Sequence, residues 1–170
     1  NRTTDASSGA AVLQQVDIVA IAKEVTAELV PLALQQDIDL GFEGVTELRA
    51  AADPVLLAEL LKNLVSNAIS YAGRGAIVTV RALESAGQKV LEVEDNGPGL
   101  SPEQRTAALQ SRRGRSRPLP ALAKGQANGM GLGLAIAAEI SDLFGADLQL
   151  EPARQGTGLL VRVSFDPCRT

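Results

Sequence analysis

DPVLLAELLKNLVSNAISY, residues 53–71, carries the pattern around which this 170-residue chain is arranged. Asp53 can cap a helix, and Pro54 suits its first turn because its missing N–H would have no partner there. Behind them Leu57, Leu60, Leu61, Leu64 and Ala68 recur at the spacing of one apolar helical face, so the segment is expected to be a helix lying on a core. Glu59, Asn63 and Asn67 follow one another at intervals of four and project along one border of that face. An Asn inside a helix costs about a few tenths of a kcal/mol relative to Ala, so two of them call for a reason. Taken alone, a solvated helix edge would be reason enough.

Composition limits what the chain can do. With 45% hydrophobic residues, its length suits one domain with a real core plus a short appendage. Its 16 Lys and Arg against 20 Asp and Glu give a net charge of -4, so no global basic field recruits nucleic acid or an anionic membrane. Phe42, Tyr71, Phe144 and Phe165 are the only aromatics, too few for base-stacking platforms. Cys168 is alone and cannot form an internal disulfide, and no apolar run approaches the roughly 20 residues that span a bilayer. A reducing, aqueous compartment fits, and the start at Asn1 reads as a piece of a longer protein. There is no histidine, so a mechanism needing an imidazole must find it on another molecule.

Working outward from residues 53–71, the Ser-, Thr- and Ala-rich residues 1–15 read as a frayed lead-in or the end of an upstream helix. Asp17 opens an amphipathic helix through Ile18, Ile21, Val25 and Leu29, which Pro31 is expected to kink or end near Val30. Two extended pieces follow at 38–42 and 47–50. On the C-terminal side, 76–84 alternates as a strand, Gly87 marks a hairpin turn at 85–88, and Val90, Leu91 and Val93 carry the return strand to Asp95. Ser101 and Pro102 signal another helix start. From Arg105 to Ala138 there is no acid, while Arg105, Arg112, Arg113, Arg115, Arg117 and Lys124 all fall there, interrupted by Gly114, Pro118, Pro120 and Gly125. That basic segment reads as a mobile loop. A glycine cluster, NGMGLG, then runs into a helix closed by Gly145, and strands at 147–151 and 158–165 finish the chain.

Two glycine stretches offer chemistry. In DNGPGL, 95–100, Gly97 and Gly99 let the backbone turn sharply beside a ligand, and a carboxylate at Asp95 can accept the exocyclic amino proton of adenine. A DNG turn with no ligand is the plain alternative. Gly129, Gly131 and Gly133 precede a helix whose free amides and dipole can hold phosphate, although glycines also serve close packing. Asn67 supplies a hard oxygen suited to one position of an octahedral magnesium, and the basic loop can close over a triphosphate.

In this order and spacing NLVSNA (63–68), DNGPGL (95–100) and GMGLGLAI (129–136) resemble the N, G1 and G2 boxes of the catalytic ATP-binding domain of sensor histidine kinases, in the superfamily shared with DNA gyrase, heat-shock chaperone ATPases and MutL. The similarity runs from about Val16 to Phe165. It implies an α/β fold: a two-layer α/β sandwich of the Bergerat type, with a mixed, mostly antiparallel sheet packed on about three helices and a flexible ATP lid at about 100–128. Residues 1–15 would then be a lead-in from an upstream dimerisation or phosphoacceptor helix, and 16–170 the ATP-binding catalytic domain.

Carried over by position, the resemblance makes Asn63 and Asn67 the catalytic pair, with Asn67 as the magnesium ligand. Nucleotide contacts would come from Asn63, Asn67, Tyr71, Asp95, Gly97, Gly99, Gly129, Gly131, Leu132, Gly133 and Thr157. The implied cofactors are ATP and Mg2+. The implied partners are a phosphoacceptor histidine domain of the same or a sister protomer and, through the full-length kinase, a response regulator, with no nucleic acid. The parent would be dimeric and anchored in the inner membrane with this portion cytoplasmic and monomeric by itself.

Water-using ATPases of the superfamily place a glutamate one turn before the metal-binding asparagine as general base; Asn63 stands there, and an amide takes no proton at neutral pH. Direct hydrolysis is therefore expected to be slow and a gyrase-type ATPase disfavoured. The chain departs from the kinase pattern at Ser70, where many relatives carry Lys or Arg, at Met130, and in having no phenylalanine between Asp95 and Gly129. These departures keep open a module that binds nucleotide without transferring phosphate.

Overall fold

The computed structural model describes residues 13–113, 128–154 and 156–165, with side chains left out for 109–113 and 128–132. Strand β1 (Gln14–Asp17) leads into helix α1 (Ile18–Gln35), followed by β2 (Asp39–Gly44), β3 (Arg49–Ala52), helix α2 (Pro54–Ala72), β4 (Ile77–Ser85), β5 (Gln88–Asp95), helix α3 (Pro102–Arg113), helix α4 (Asn128–Phe144), β6 (Asp147–Pro152) and β7 (Leu159–Phe165). The main sheet has the order β2-β4-β5-β7-β6, parallel only between β2 and β4. Helices α1, α2 and α4 cover one face, and α3 packs on α4 instead of the sheet. The expected mixed, mostly antiparallel sandwich on about three helices is therefore present, with a fourth helix beside it.

Local chemistry sets the helix starts as read from sequence. Asp53 accepts N–H bonds from Val55 and Leu56 at 2.9 and 3.2 Å, and Pro54 follows in the first turn. Asp17 caps α1 through Val19 N–H and also accepts Leu48 N–H, both at 3.1 Å, which ties the helix start to the segment before β3. The Leu48 amide is the main reason its carboxyl is held below the ordinary value. Ser101 and Gln104 form a reciprocal capping box at α3: Ser101 N–H donates to Gln104 Oε1 at 2.8 Å and Gln104 N–H to Ser101 Oγ at 3.1 Å. The apolar stripe of α2 is fully inside, with Leu57, Leu60, Leu61, Leu64 and Ala68 all buried.

Three elements differ from expectation. Helix α1 runs through Pro31 to Gln35. Proline removes one backbone bond, but Ala33 beyond it is buried and its carbonyl accepts Ile38 N–H at 2.8 Å, so tertiary contacts hold the last turn. The extended piece near 47–50 becomes β3, which pairs with β1 in a separate two-stranded sheet, so Gln14 and Gln15 lie in a strand. The glycine cluster is itself helical, since α4 begins at Asn128 and takes in Gly129, Gly131 and Gly133. Residues 1–12 and most of the basic loop, including Arg115, Arg117 and Lys124, lie outside the described residues.

Alternation along the strands puts Val78, Val80, Leu91, Val93, Val161 and Val163 under the helices. The opposite face carries a transverse row in register, Glu43, Arg81, Glu92, Arg162 and Gln149. The β4–β5 hairpin closes through Ala86 and Gly87, at φ 52° and 80°, a two-residue turn that needs the left-handed region at both positions. Alanine resists that conformation, whereas asparagine adopts it readily. Ala86→Asn is expected to stabilise the fold by roughly 0.5–1 kcal/mol, measured as a higher urea midpoint at unchanged slope. An unchanged or lower midpoint would show that Ala86 is not strained.

Candidate functional site

Strand β5 ends on Asp95, which sits across from the buried Val78 and so points into the helical layer. Its side chain is nearly enclosed, with the residue 6% exposed. Oδ1 accepts Gly97 N–H at 2.8 Å, and a backbone N–H from Leu159 also reaches the carboxylate. Burial pushes its pKa up, the two amides pull it back, and the balance stays above the ordinary value. An ionised carboxylate offers about four acceptor positions, so capacity remains for a donor brought by a ligand. Asn96 pins the corner from the other side: its Oδ1 accepts Ile77 N–H at 2.7 Å while its own N–H donates to Ile77 O at 3.2 Å.

Glycines bring the surrounding elements into contact. A Cβ on Gly97 would lie 2.5 Å from Cα of Ala72, at the end of α2. One on Gly99, at φ 74°, would lie 2.7 Å from the carbonyl oxygen of Gly158, and one on Gly158 would overlap the carbonyl of Asp95. On the other flank a Cβ on Gly133 would sit 2.5 Å from Asn67 Oδ1. Helix α4 can therefore cross α2 at Asn67 because Gly133 has no side chain.

Two small hollows result, each about 10 Å³ and each lined by both Asp95 and Leu159. The first is walled by Tyr71, Pro98, Gly99 and Leu100, and the second by Leu64, Asn67, Ala68 and Leu134, with Val93 and Val161 beneath. Each could hold one water, whereas clefts for small ligands run roughly 300–1,000 Å³, so neither hollow by itself has the volume of a nucleotide site. Roomier hollows lie elsewhere: about 280 Å³ on the opposite face of the sheet, and about 340 Å³ of shallow space along α3 at Pro102, Glu103, Thr106 and Ala107. The first is also lined by Asp95 but by none of the glycine corners, and the second by neither.

Of the residues singled out from sequence, Asn67, Tyr71, Asp95 and Gly99 line these two hollows, and Gly97 and Gly133 are the close-packing points beside them. Burial pushes the Tyr71 phenol up. Asn63 lies one turn earlier; its amide donates to Glu59 O at 2.8 Å and to Glu59 Oε2 at 3.3 Å, and it lines neither hollow. Thr157 is exposed in the turn before β7 and lines neither. Gly129 and Gly131 occupy the start of α4, and the side chain of Leu132 lies outside the described residues. Sequence reading missed Leu100, Asn96, Gly158 and Leu159. Gly158 did leave a signal, a glycine at a strand start, but nothing local tells which strand will lie beside Asp95.

Among the described residues no three or more His, Cys, Asp or Glu gather as metal ligands. A cation at this site would need most of its oxygens from a ligand and water, with the Asn67 amide as a protein donor.

Residues 52–167 match the family described as histidine kinase-, DNA gyrase B-, and HSP90-like ATPase. The sensor protein kinase PmrB of Pseudomonas aeruginosa is 35% identical over 158 residues, covering 91% of this chain and 32% of that protein. The swarming motility regulation sensor protein RssA of Serratia marcescens is 32% identical over 149 residues, covering 86% and 30%. The chain thus spans about a third of the length of these curated relatives. In structure, the nucleotide-free catalytic domain of histidine kinase ThkA superposes with a TM-score of 0.74 at 22% identity, over 92% of this chain and 96% of that one. Full-length ShkA, solved in complex with AMPPNP, gives 0.72 at 25% identity over 92% and 31%.

Proposed function

The chain belongs to the histidine kinase-, DNA gyrase B- and HSP90-like ATPase family, and from that premise we propose that it binds Mg-ATP and passes the γ-phosphoryl group to a histidine on a separate dimerisation and phosphoacceptor domain of a sensor kinase. The observation that carries this reading is the meeting of Asn67 and Asp95 on one hollow between α2, β5 and α4, with Gly133 packed against the Asn67 amide.

Asp95 accepts the adenine amino proton, and guanine, which presents a carbonyl at that place, would set two acceptors against each other. Tyr71, Gly97 and Gly99 shape the base pocket. The start of α4, with Gly129, Gly131, Leu132 and Gly133, faces the phosphates, and Thr157 and Asn63 complete the contact set. Asn67 offers one hard amide oxygen for a magnesium held mainly through phosphate and water; that amide now packs against Gly133, so the ion would enter as α4 draws back from α2. Such an ion neutralises charge on the phosphates.

No group on α2 is placed to activate water. Asn63 cannot take a proton at neutral pH, and the sole acid of the helix, Glu59, is exposed and two turns, roughly 12 Å along the axis, before Asn67. What the chain supplies is positioning and charge, which suffices for phosphoryl transfer to an external nucleophile. In that step the bond from the γ-phosphorus to the ADP oxygen breaks and a phosphorus–nitrogen bond forms to the foreign imidazole. The parent protein is proposed to be a dimeric, membrane-anchored kinase with this domain on the cytoplasmic side and residues 1–15 leading from its phosphoacceptor helix. Among the described residues no helix is long and apolar enough to cross a membrane. A module that binds nucleotide without transfer is the second reading, favoured by Ser70 and by the absence of phenylalanine between Asp95 and Gly129.

Isothermal titration with Mg-ATP and Mg-GTP, followed by labelled ATP with the phosphoacceptor domain, tests both. Preference for ATP with histidine labelling supports transfer; binding without labelling supports the module; no binding of either nucleotide overturns the site. Asn67→Ala is expected to weaken Mg-ATP more than metal-free ATP, and equal losses would remove Asn67 as the ligand.

A further inference from the structure

The outer face of the sheet, opposite the candidate site, holds a carboxylate that the proposed reaction does not use. Glu92 lies three residues before Asp95 on β5 and faces the other way, yet its side chain is only 1% exposed. Arg81 Nη1 donates to it at 3.3 Å and Arg162 Nε at 3.2 Å. These two sit directly across from it on β4 and β7, so they follow the sheet wherever it goes. Arg154 is different. It lies two residues past the end of β6 and grips Glu92 with a fork, Nη1 to Oε1 at 2.9 Å and Nη2 to Oε2 at 2.7 Å. Its backbone N–H adds a bond to Glu94 Oε2 at 2.7 Å.

Its neighbour Ala153 connects to the candidate site. Ala153 N–H donates to Gly158 O at 3.1 Å, Gly158 packs on the carbonyl of Asp95 and faces Gly99, and the backbone N–H of the next residue, Leu159, favours the charged form of the Asp95 carboxylate. A guanidinium on one face of the sheet is thus next in the chain to a bond that reaches the acid on the other. We propose that Arg154, anchored by Glu92, is a positioning residue for the nucleotide's base: its fork holds Arg154 and the adjoining Ala153, whose bond to Gly158 keeps the start of β7 against Asp95 and Asp95 aimed into the hollow. This inference rests on the nucleotide-site reading above.

Arg162 gives an internal control, because it bonds Glu92 and, through Nη1 at 2.9 Å, Glu151 of β6, and these bonds go to the strands and to neither Ala153 nor Gly158. Arg154→Gln breaks the fork while Arg81 and Arg162 still neutralise Glu92, and with its side chain 46% exposed the replacement leaves no cavity. Arg154→Gln is expected to weaken ATP and ADP by the same factor, roughly tenfold, within the range by which remote positioning contacts modulate binding. It is also expected to speed hydrogen exchange at the Leu159 amide in the protein without nucleotide. Arg162→Gln should lower the melting temperature but leave both readouts at wild-type values. Arg154→Lys, which keeps the charge and loses the fork, should fall between and serves in place of the Gln variant should that one not fold.

Unchanged affinity and unchanged Leu159 exchange in the Arg154 variant would overturn the inference, as would an equal effect of Arg162→Gln. A loss confined to ATP would overturn it too, since that would put the effect at the terminal phosphate. Wild-type protein that binds no nucleotide would instead overturn the site reading, and the exchange measurement would still decide whether Arg154 holds the start of β7.

Discussion

Gly158→Ala is expected to destabilise the fold by about 3 kcal/mol or more. Gly158 stands at φ 134°, where an L side chain is strained, and a Cβ there would overlap the carbonyl of Asp95 and come within 3.0 Å of Asn96 Cα. Both obstacles are backbone, so no side chain can rotate away. Relief requires the start of β7 to part from the end of β5. Gly156→Ala supplies the comparison: it too has positive φ, 68°, but a Cβ there meets nothing within 4 Å, so it should cost only about 1–2 kcal/mol of left-handed strain. Urea midpoints of the two variants check this. Equal shifts would mean that the contact with Asp95 is not tight in solution.

Asp95→Asn should do the opposite: spare the fold and remove the ligand. Nucleotide affinity is expected to fall by about 1–3 kcal/mol, because the amide that replaces one carboxylate oxygen sets a donor against the adenine amino group. Stability at neutral pH should be unchanged or slightly raised. The sign follows from linkage. Burial raises the Asp95 pKa above its ordinary 3.8, so the folded state holds that proton more tightly than the unfolded chain does. The stability it lends is fully present below 3.8 and is lost as pH rises through the raised value, which leaves an ionised buried carboxylate as a cost at neutral pH. Titration calorimetry and a melting curve on the same variant settle the matter. Wild-type affinity would take Asp95 out of base recognition, and a collapsed melting temperature would make its role structural.

Glu92, on the reverse face of the same strand, titrates with the other sign. Burial alone would raise it, but the bonds and charges of Arg154 and Arg162 outweigh burial and hold its pKa below the ordinary 4.5. Its contribution is present above 4.5 and is lost as pH falls through the lowered value. One strand thus carries a buried acid whose ionisation the fold opposes, Asp95, and another whose ionisation the fold favours, Glu92.

What the amino-acid order alone determined here is whatever depends on near neighbours along the chain. The 3.6-residue stripe of Leu57, Leu60, Leu61, Leu64 and Ala68, the caps at Asp17 and Asp53, and the alternation and turn of 77–95 each follow from local geometry, and each is present in the structure. The three motifs that point to the family are also short, contiguous and readable without a fold. Only the tertiary structure decided which segments lie against one another. It carried α1 through Pro31 by burying Ala33, paired β1 with β3, drew the glycine cluster into α4 where Gly133 meets Asn67, and laid Gly158 and Leu159 beside Asp95 across more than sixty residues of chain. It also joined Arg154 to Glu92 through the sheet. Backbone torsions and side-chain spacing are set within a few residues, whereas a contact at long separation exists only when the whole core closes around it, and so no local pattern announces it.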